Sequence, residues 1–236
     1  MKELGTVKSM QLRRSGTRFA NRTVAGRELA EALGGYQDRD NVIVYGLPRG
    51  GVPVAFEVAT ALGAPLDVLI VRKLGVPGHP ELAMGAVAAR GVRVVNDSVV
   101  RQLGIPDDDI ERISKQQREE VEDRERRFRG DIEAPDPEGA VAIVIDDGIA
   151  TGSTMRASIE ALRDMSPAEI VVAVPVASPD VCEEFEQLAD EVVCLATEQP
   201  LGAVGIWYED FDQTTDQEVI DLLAKAWEQH GMRRAR

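Results

Sequence analysis

The sequence predicts an α/β fold in which a parallel, twisted sheet is flanked by helices. Short apolar segments rich in Val and Ile alternate along the chain with longer segments that carry apolar residues at helical spacing. The short segments lack alternation of polar and apolar residues, which is typical of parallel strands buried on both faces. Apolar residues make up 44% of the 236 residues, enough for a large core. We expect one domain over residues 1–236.

The elements follow one another in a regular order. A polar lead-in over residues 1–18 precedes a helix at 23–33, which ends at Gly34 and Gly35. Strands are predicted at 42–45, 66–71, 141–145, 170–174 and 191–195, a β-ribbon at 86–95, and helices at 52–62, 107–129, 153–165, 180–188 and 216–228. Right-handed crossovers then bring the loops after Tyr45, Val71 and Ile145 to one edge of the sheet, where ligands bind.

The charge of the chain limits its partners. The formal net charge is −14, which argues against a nucleic acid or an anionic membrane as a partner. No apolar run reaches the ~20 residues of a membrane span, and no signal peptide opens the chain. Cys182 and Cys194 lack the spacing of a metal site, and we interpret them as packing residues in a reducing compartment. We therefore expect a cytoplasmic protein.

Residues 141–154 form the most informative motif, VAIVIDDGIATGST. An apolar run to Ile145 ends in Asp146 and Asp147. A turn rich in glycine and hydroxyl groups then leads into a segment whose apolar residues have helical spacing. Such a turn offers free backbone N–H groups and the positive end of a helix dipole to an anion. Carboxylates beside that anion would repel it unless they hold hydroxyl groups or a cation of the same ligand. The motif therefore predicts a site for a phosphorylated sugar bound with Mg²⁺.

This motif resembles the 5-phosphoribosyl-1-pyrophosphate (PRPP) loop of type I phosphoribosyltransferases, in which two acidic residues precede a Thr-Gly-small-Thr turn. The resemblance implies the type I fold with a hood, and a Mg²⁺-dependent transfer from PRPP to a nitrogen nucleophile such as a nucleobase, with release of pyrophosphate. It implies that Asp146 and Asp147 hold the ribose hydroxyls and the metal. The implied PRPP-binding residues are Asp146, Asp147, Gly148, Ala150, Thr151, Gly152, Ser153 and Thr154.

A second glycine-rich loop lies between the strand at 42–45 and the next helix. It offers backbone N–H groups and a guanidinium, whose planar fork matches phosphate oxygens. By the resemblance this loop binds pyrophosphate and contains a non-proline cis peptide bond, at Pro48–Arg49 in this sequence. The residues implied are Pro48, Arg49, Gly50 and Gly51.

Two cations, Arg72 and Lys73, directly follow the strand predicted at 66–71 and could neutralise pyrophosphate as it leaves. The glycines and prolines that come next predict a mobile lid without regular structure at 74–82. This arrangement resembles the Arg-Lys pair and flexible loop of adenine and orotate phosphoribosyltransferases. The implied catalytic residues are Arg49, Lys73, Asp146 and Asp147.

The N-terminal helix and two longer segments match no salvage enzyme closely. Residues 98–140 predict a helical insertion, whose charged helix at 107–129 is either a solvated face or a cover whose arginines reach inward or contact a second subunit. Residues 196–236 predict a C-terminal hood and helix. There Trp207 or Tyr208 either stacks on a base or packs the sheet edge. We expect a homodimer.

The sequence also departs from the salvage enzymes. Hypoxanthine-guanine enzymes carry an aspartate where this chain has Ala150, whereas adenine enzymes carry alanine there. Taken whole, the chain is similar to predicted phosphoribosyltransferases of undefined acceptor. Two alternatives stay open: a regulator that binds PRPP or nucleotide without turnover, and a hydrolase or phosphorylase that uses water or phosphate as its nucleophile. Arg49 and Lys73 on the leaving-group side favour turnover.

Overall fold

The computed structural model describes residue 16 and residues 18–231, so most of the lead-in predicted over residues 1–18 lies outside the described residues. In the described part the strands are β1 (Val42–Gly46), β2 (Leu66–Val68), β3 (Val71–Val76), β4 (His79–Ala88), β5 (Arg93–Val95), β6 (Val141–Ile145), β7 (Glu169–Ala177) and β8 (Glu191–Thr197). The helices are α1 (Arg22–Ala32), α2 (Gly51–Leu62), α3 (Asp97–Leu103), α4 (Asp107–Arg129), α5 (Ser153–Asp164), α6 (Pro179–Glu186) and α7 (Asp216–His230).

Five parallel strands form the central sheet in the order β2-β1-β6-β7-β8. Every residue of β1 and β6 is buried, as their unbroken apolar runs predict. Apolar residues of α1, α2, α4 and α7 cover one face of the sheet, and those of α5 and α6 cover the other. The predicted fold class is confirmed. Among the described helices, none combines the length and the apolar character that crossing a membrane requires.

The strand predicted at 66–71 is wrong in its extent. β2 ends at Val68 and pairs with β1, whereas β3 begins at Val71 and belongs to a separate antiparallel sheet of order β3-β4-β5. Leu69 and Ile70, which join the two sheets, are buried like the residues of β2. Buried residues therefore continue from one sheet into the other. The spacing of apolar residues could not reveal where the chain changes sheets.

The irregular lid predicted at 74–82 is also wrong. β3 continues to Val76 and β4 begins at His79, so this segment is a β-hairpin. Gly78 lies in its turn with φ +78°, a conformation that favours glycine. The register shifts on both sides of Gly75, where a Cβ atom would lie 2.8 Å from the Cα of Pro80. The glycines thus serve a turn and a bulge.

The predicted insertion at 98–140 contains most of α3 and the whole of α4. An ion pair joins α4 to the central sheet: Arg129 Nη2 donates to Asp67 Oδ2 over 2.8 Å. The side chains are only 2% exposed for Asp67 and 11% for Arg129. Burial raises the pKa of Asp67, and the charge of Arg129 opposes that rise. Arg129 also donates to Glu125 one turn earlier in α4. The pair therefore fixes the C-terminal end of α4 against β2.

Both cysteines pack in the core, as predicted, and they also form a pair that the sequence did not predict. Cys182 on α6 and Cys194 on β8 are joined in a disulfide. Both also lie in the apolar cluster between these two elements. They are 12 positions apart in the sequence. That spacing does not indicate that α6 packs against the strand that follows it. The sequence therefore could not predict the pairing.

Replacement of Asp67 by alanine tests whether its ion pair anchors the insertion. Asp67→Ala leaves a buried guanidinium without its partner on the sheet, and we expect it to lower the free energy of unfolding in urea by about 3–5 kcal/mol. Arg27→Ala is the control, because it breaks a pair with Glu57 in which Arg27 is 68% exposed. The control should cost less than about 1 kcal/mol. Similar losses in both variants would refute the anchoring role of Asp67.

Candidate active site

The acidic pair lies at the carboxyl end of β6, in the middle of the sheet edge. The backbone N–H of Asp147 donates to Asp146 Oδ1 over 2.9 Å, and both carboxylates are partly buried. Burial, together with the charge of Asp147, raises the pKa of Asp146 well above its usual range. Burial also raises the pKa of Asp147, against the opposing charge of Arg22. Two such carboxylates are stabilised by any cation that binds between or beside them.

Arg22 of α1 already supplies one cation to this pair. Its Nε donates to Asp147 Oδ2 over 2.8 Å, and its Nη1 donates to the carbonyl of Asp212 over 2.8 Å. The guanidinium carbon lies 3.8 Å from the ring centroid of Phe211, within cation–π range. Sequence reasoning missed Arg22, because nothing in its local pattern distinguishes it from other basic residues near the N-terminus. Only the packing of α1 against the hood brings it to the site.

The hood reaches the acidic pair through Tyr208. Its hydroxyl donates to the carbonyl of Asp147 over 2.6 Å, and its ring packs between Phe19 and Phe211. Burial raises the pKa of Tyr208, so the phenol stays a donor, and the residue is only 3% exposed. Trp207 is partly exposed, and its Nε1 donates to the carbonyl of Leu201 over 2.8 Å. Of the two aromatics predicted to bind a base, Trp207 alone keeps an accessible ring.

The turn after the acidic pair forms a cup that opens at the sheet edge. The cavity has a volume of about 180 Å³, and its lining residues are Asp146, Gly148, Ile149, Ala150, Thr151, Gly152, Ser153, Thr154, Met155 and Val204. Gly152 has φ +72° and immediately precedes α5. The first N–H groups of that helix therefore point toward the cup, together with the exposed hydroxyls of Thr151, Ser153 and Thr154. Such donors suit a phosphate group.

The loop between β1 and α2 packs directly against the acidic pair. The peptide bond Pro48–Arg49 is cis, as the resemblance implies. The N–H of Leu47 donates to the carbonyl of Ile145 over 2.9 Å, which holds the loop beside β6. A Cβ atom on Gly50 would lie 2.0 Å from Asp147 Oδ2, and one on Gly51 would lie 2.5 Å from the carbonyl of Ile145. Glycine is required at both positions by this close approach.

The side chain of Arg49 points away from the cup, toward α4 and α7. Its Nη1 lies 3.5 Å from Asp216 Oδ1 at the start of α7, while Arg127 of α4 donates to the other oxygen of Asp216 over 2.8 Å. The hydrogen bond from Arg127 lowers the pKa of Asp216. The helical insertion thus meets the predicted pyrophosphate loop, so at least part of α4 is not a simple solvated face.

Arg72 and Lys73 are predicted to face pyrophosphate together, but neighbouring side chains of a strand point to opposite faces. Arg72 pairs with Glu120 of α4 over 2.7 Å. Lys73 Nζ donates to the carbonyl of Glu81 over 2.8 Å. Lys73 lines a second cavity of about 320 Å³, which also touches Arg156 and Ser153. Since Ser153 lines both cavities, Lys73 lies beside the phosphate cup, whereas Arg72 lies on the side of Arg49.

Comparisons with known proteins agree with this geometry. The model of the family described as "Phosphoribosyl transferase domain" matches residues 82–206, which include the acidic pair, the cup and part of the hood. Two Mycobacterium tuberculosis proteins, "Putative phosphoribosyl transferase Rv0571c" of strain ATCC 25618 / H37Rv and "Putative phosphoribosyl transferase MT0597" of strain CDC 1551 / Oshkosh, are each 47% identical over 208 residues. The match covers 88% of this chain and 47% of each relative, so the chain spans about half their length.

A solved structure is similar over nearly its full length. The crystal structure of TT1426 from Thermus thermophilus superposes with a TM-score of 0.81 at 41% sequence identity. The match covers 89% of this chain and 99% of that one. The same arrangement of strands and helices therefore occurs in a protein of known structure.

Replacement of Gly50 by alanine tests the contact between the loop and the acidic pair. The added methyl group would overlap Asp147, so Gly50→Ala should lower the free energy of unfolding by about 1–3 kcal/mol. Gly35→Ala is the matched control, because open space surrounds Gly35 and its φ is not positive. That change should stay within about 0.5 kcal/mol of the unaltered protein. Chemical denaturation of both variants makes the comparison, and an unaffected Gly50→Ala would contradict the observed contact.

Proposed function

Because the chain belongs to the phosphoribosyl transferase domain family, we propose that it transfers the phosphoribosyl group of PRPP to a nitrogen nucleophile, with Mg²⁺ as its cofactor. One observation carries the proposal: a partly buried acidic pair lies beside a cup of backbone N–H and hydroxyl donors at the carboxyl edge of a parallel sheet. A ribose 5-phosphate needs both features close together. The phosphate takes the donors, and the two ribose hydroxyls donate to carboxylates.

The residues of the site fit a magnesium ion bound together with its ligand. Mg²⁺ is usually held by one or two carboxylates, several waters and the phosphate oxygens of a substrate, rather than by a cage of protein ligands. Among the described residues there is no cluster of three metal-binding side chains, but Asp146 and Asp147 supply the two carboxylates. Burial and the charge of Asp147 raise the pKa of Asp146 against the opposing charge of Arg22, so a bound cation would stabilise the ionised form of Asp146. When bound, the ion would neutralise negative charge on the pyrophosphate group.

The proposed reaction is a displacement at the anomeric carbon. The bond from that carbon to the pyrophosphate oxygen breaks, a bond to the acceptor nitrogen forms, and a proton leaves the nitrogen. In this proposal the 150–154 cup holds the 5-phosphate, and Asp146 and Asp147 orient the ribose. Arg49 and the backbone of Gly50 and Gly51 receive the leaving group. Aimed donors of this kind stabilise a transition state because they need no reorganisation as charge develops.

The hood is the proposed site of the acceptor. Val204 lines the cup, and Trp207 lies three residues further along the same 3₁₀ turn with a partly exposed ring. A planar base could pack on that ring. We also propose that the protein is a homodimer. Its cytoplasmic location stays a prediction, and the Cys182–Cys194 disulfide removes one of the grounds for it.

Turnover is tested by supplying PRPP and Mg²⁺ with a panel of nucleobases and amines while pyrophosphate release is measured. Release that depends on one acceptor supports the transferase. Binding of PRPP without release would instead indicate a regulator. Release without any acceptor, accompanied by ribose 5-phosphate, would indicate a hydrolase.

The acidic pair is tested by Asp146→Asn combined with Asp147→Asn. Loss of charge-assisted hydrogen bonds to the ribose should weaken PRPP binding by about 2–4 kcal/mol in calorimetry with Mg²⁺ present. Asp164→Asn removes an exposed carboxylate at the far end of α5 and is the control. An unchanged affinity in the double variant would remove the acidic pair from the binding site.

The hood is tested by tryptophan fluorescence. The chain has two tryptophans, and Trp227 is buried in α7 with its Nε1 bonded to the carbonyl of Leu66. A nucleoside 5′-monophosphate that brings its base onto Trp207 should therefore change the emission, and Trp207→Phe should abolish that change. A saturating nucleotide that leaves the emission of the unaltered protein unchanged would place the base elsewhere.

A further inference from the structure

Four arginines from three elements gather on the side of the Pro48–Arg49 loop that faces α4. They are Arg49, Arg72 of β3, and Arg124 and Arg127 of α4, and we call them the arginine cluster. Two carboxylates accompany them: Asp216 contacts Arg49 and Arg127, and Glu120 pairs with Arg72. Cations outnumber carboxylates two to one here, in a chain whose net charge is −14.

The sequence of α4 places its part of this cluster on one face. Glu120, Arg124 and Arg127 are spaced by four and three residues, so they lie one above another on the helix surface. Arg126 points elsewhere, is 72% exposed and pairs with Asp123. The face that carries Arg124 therefore turns toward β3 and α7, and the other face turns toward solvent. The opposite sides of one helix thus provide both the candidate residue and its control.

Arg124 differs from its neighbours in lacking a carboxylate partner. Among residue 16 and residues 18–231, the structure gives Arg124 no hydrogen bond and no ion pair, although its side chain is partly buried. Burial and the nearby charge of Arg72 lower the pKa of Arg124; the charge of Asp216 opposes that shift, and the charges of Arg49 and Arg127 add to it. Like charges held together without full compensation are unfavourable, so this arrangement favours binding of an anion.

Unpartnered polar atoms mark the same helix–strand interface. The buried side-chain nitrogens and oxygens without a partner, among the described residues, are Arg72 Nε, Ser114 Oγ and Arg118 Nε. All three belong to α4 or to β3, which packs against it. Buried donors without acceptors are costly unless a water or a ligand satisfies them. Arg72 Nε therefore lacks an acceptor at the interface where Arg124 makes no direct ion pair.

We propose that Arg124 of the helical insertion binds the diphosphate group of the ligand together with Arg49 and Arg72. The identity of that ligand as PRPP rests on the proposed function, but the recognition of a diphosphate rests on the cluster itself. Planar guanidiniums from three elements can each give paired hydrogen bonds to phosphate oxygens. The insertion is then part of the binding site. Through Arg124 it adds a third guanidinium to those of Arg49 in the 46–51 loop and Arg72 in β3.

The test uses inorganic pyrophosphate as the probe, with calorimetry on the full chain in the presence of Mg²⁺. Arg124→Gln should weaken pyrophosphate binding by about 10- to 100-fold, because it removes charge-assisted hydrogen bonds. Arg124→Lys, which keeps the charge but loses the paired geometry, should give a smaller loss. Arg126→Gln is the control and should change the affinity by less than about twofold, since exposed ion pairs contribute little. The free energy of unfolding of each variant is measured alongside.

A nucleoside 5′-monophosphate provides the second readout, because it carries the phosphate for the cup and no diphosphate. Its affinity should be the same in Arg124→Gln as in the unaltered protein. Pyrophosphate binding by Arg124→Gln that equals that of Arg126→Gln would overturn the proposal, as would failure of the unaltered protein to bind pyrophosphate. The transferase activity is judged separately, from acceptor-dependent turnover of PRPP, so the two proposals can fail independently.

Discussion

The partial burial of one carboxylate, that of Asp147, is the constraint on which the rest of the site depends. A carboxylate taken out of water needs hydrogen-bond donors or a cation. Here Arg22 provides the cation from α1, while Tyr208 of the hood holds the carbonyl of the same residue. Residue 50 is a glycine because the carboxylate of Asp147 occupies the space that a Cβ atom would need. The N-terminal helix, the hood, the 46–51 loop and the central sheet therefore meet at a single residue.

This arrangement separates the site into two sides with different chemistry. On one side the cup at 150–154 and Lys73 lie near the start of α5. On the other side the arginine cluster lies between the 46–51 loop and α4. The acidic pair stands between these sides, at the end of β6. Since adjacent residues of β3 point to opposite faces, Arg72 and Lys73 lie on different sides although they are neighbours in sequence. A ligand with phosphate groups at both ends and hydroxyls between them matches this order.

Much of this architecture follows from local sequence signals. The apolar runs at 42–46 and 141–145 predict buried parallel strands, and the turn after Ile145 predicts an anion cup. α4 begins and ends at the predicted residues, because three aspartates open it and Gly130 closes it. The predictions that were wrong concerned features that depend on long-range packing. The run through Leu69 is apolar whether it forms one strand or joins two sheets, and glycines at 75 and 78 fit a hairpin as well as a lid. Arg22 and Arg124 became recognisable only from tertiary neighbours.

A crystal structure of the full chain grown with PRPP and Mg²⁺ tests the central claim most directly. We expect the 5-phosphate in the cup at 150–154, the ribose hydroxyls on Asp146 and Asp147, and the diphosphate between the 46–51 loop and Arg124. Ligand density away from the carboxyl edge of β6, with no phosphate in the cup, would contradict this placement.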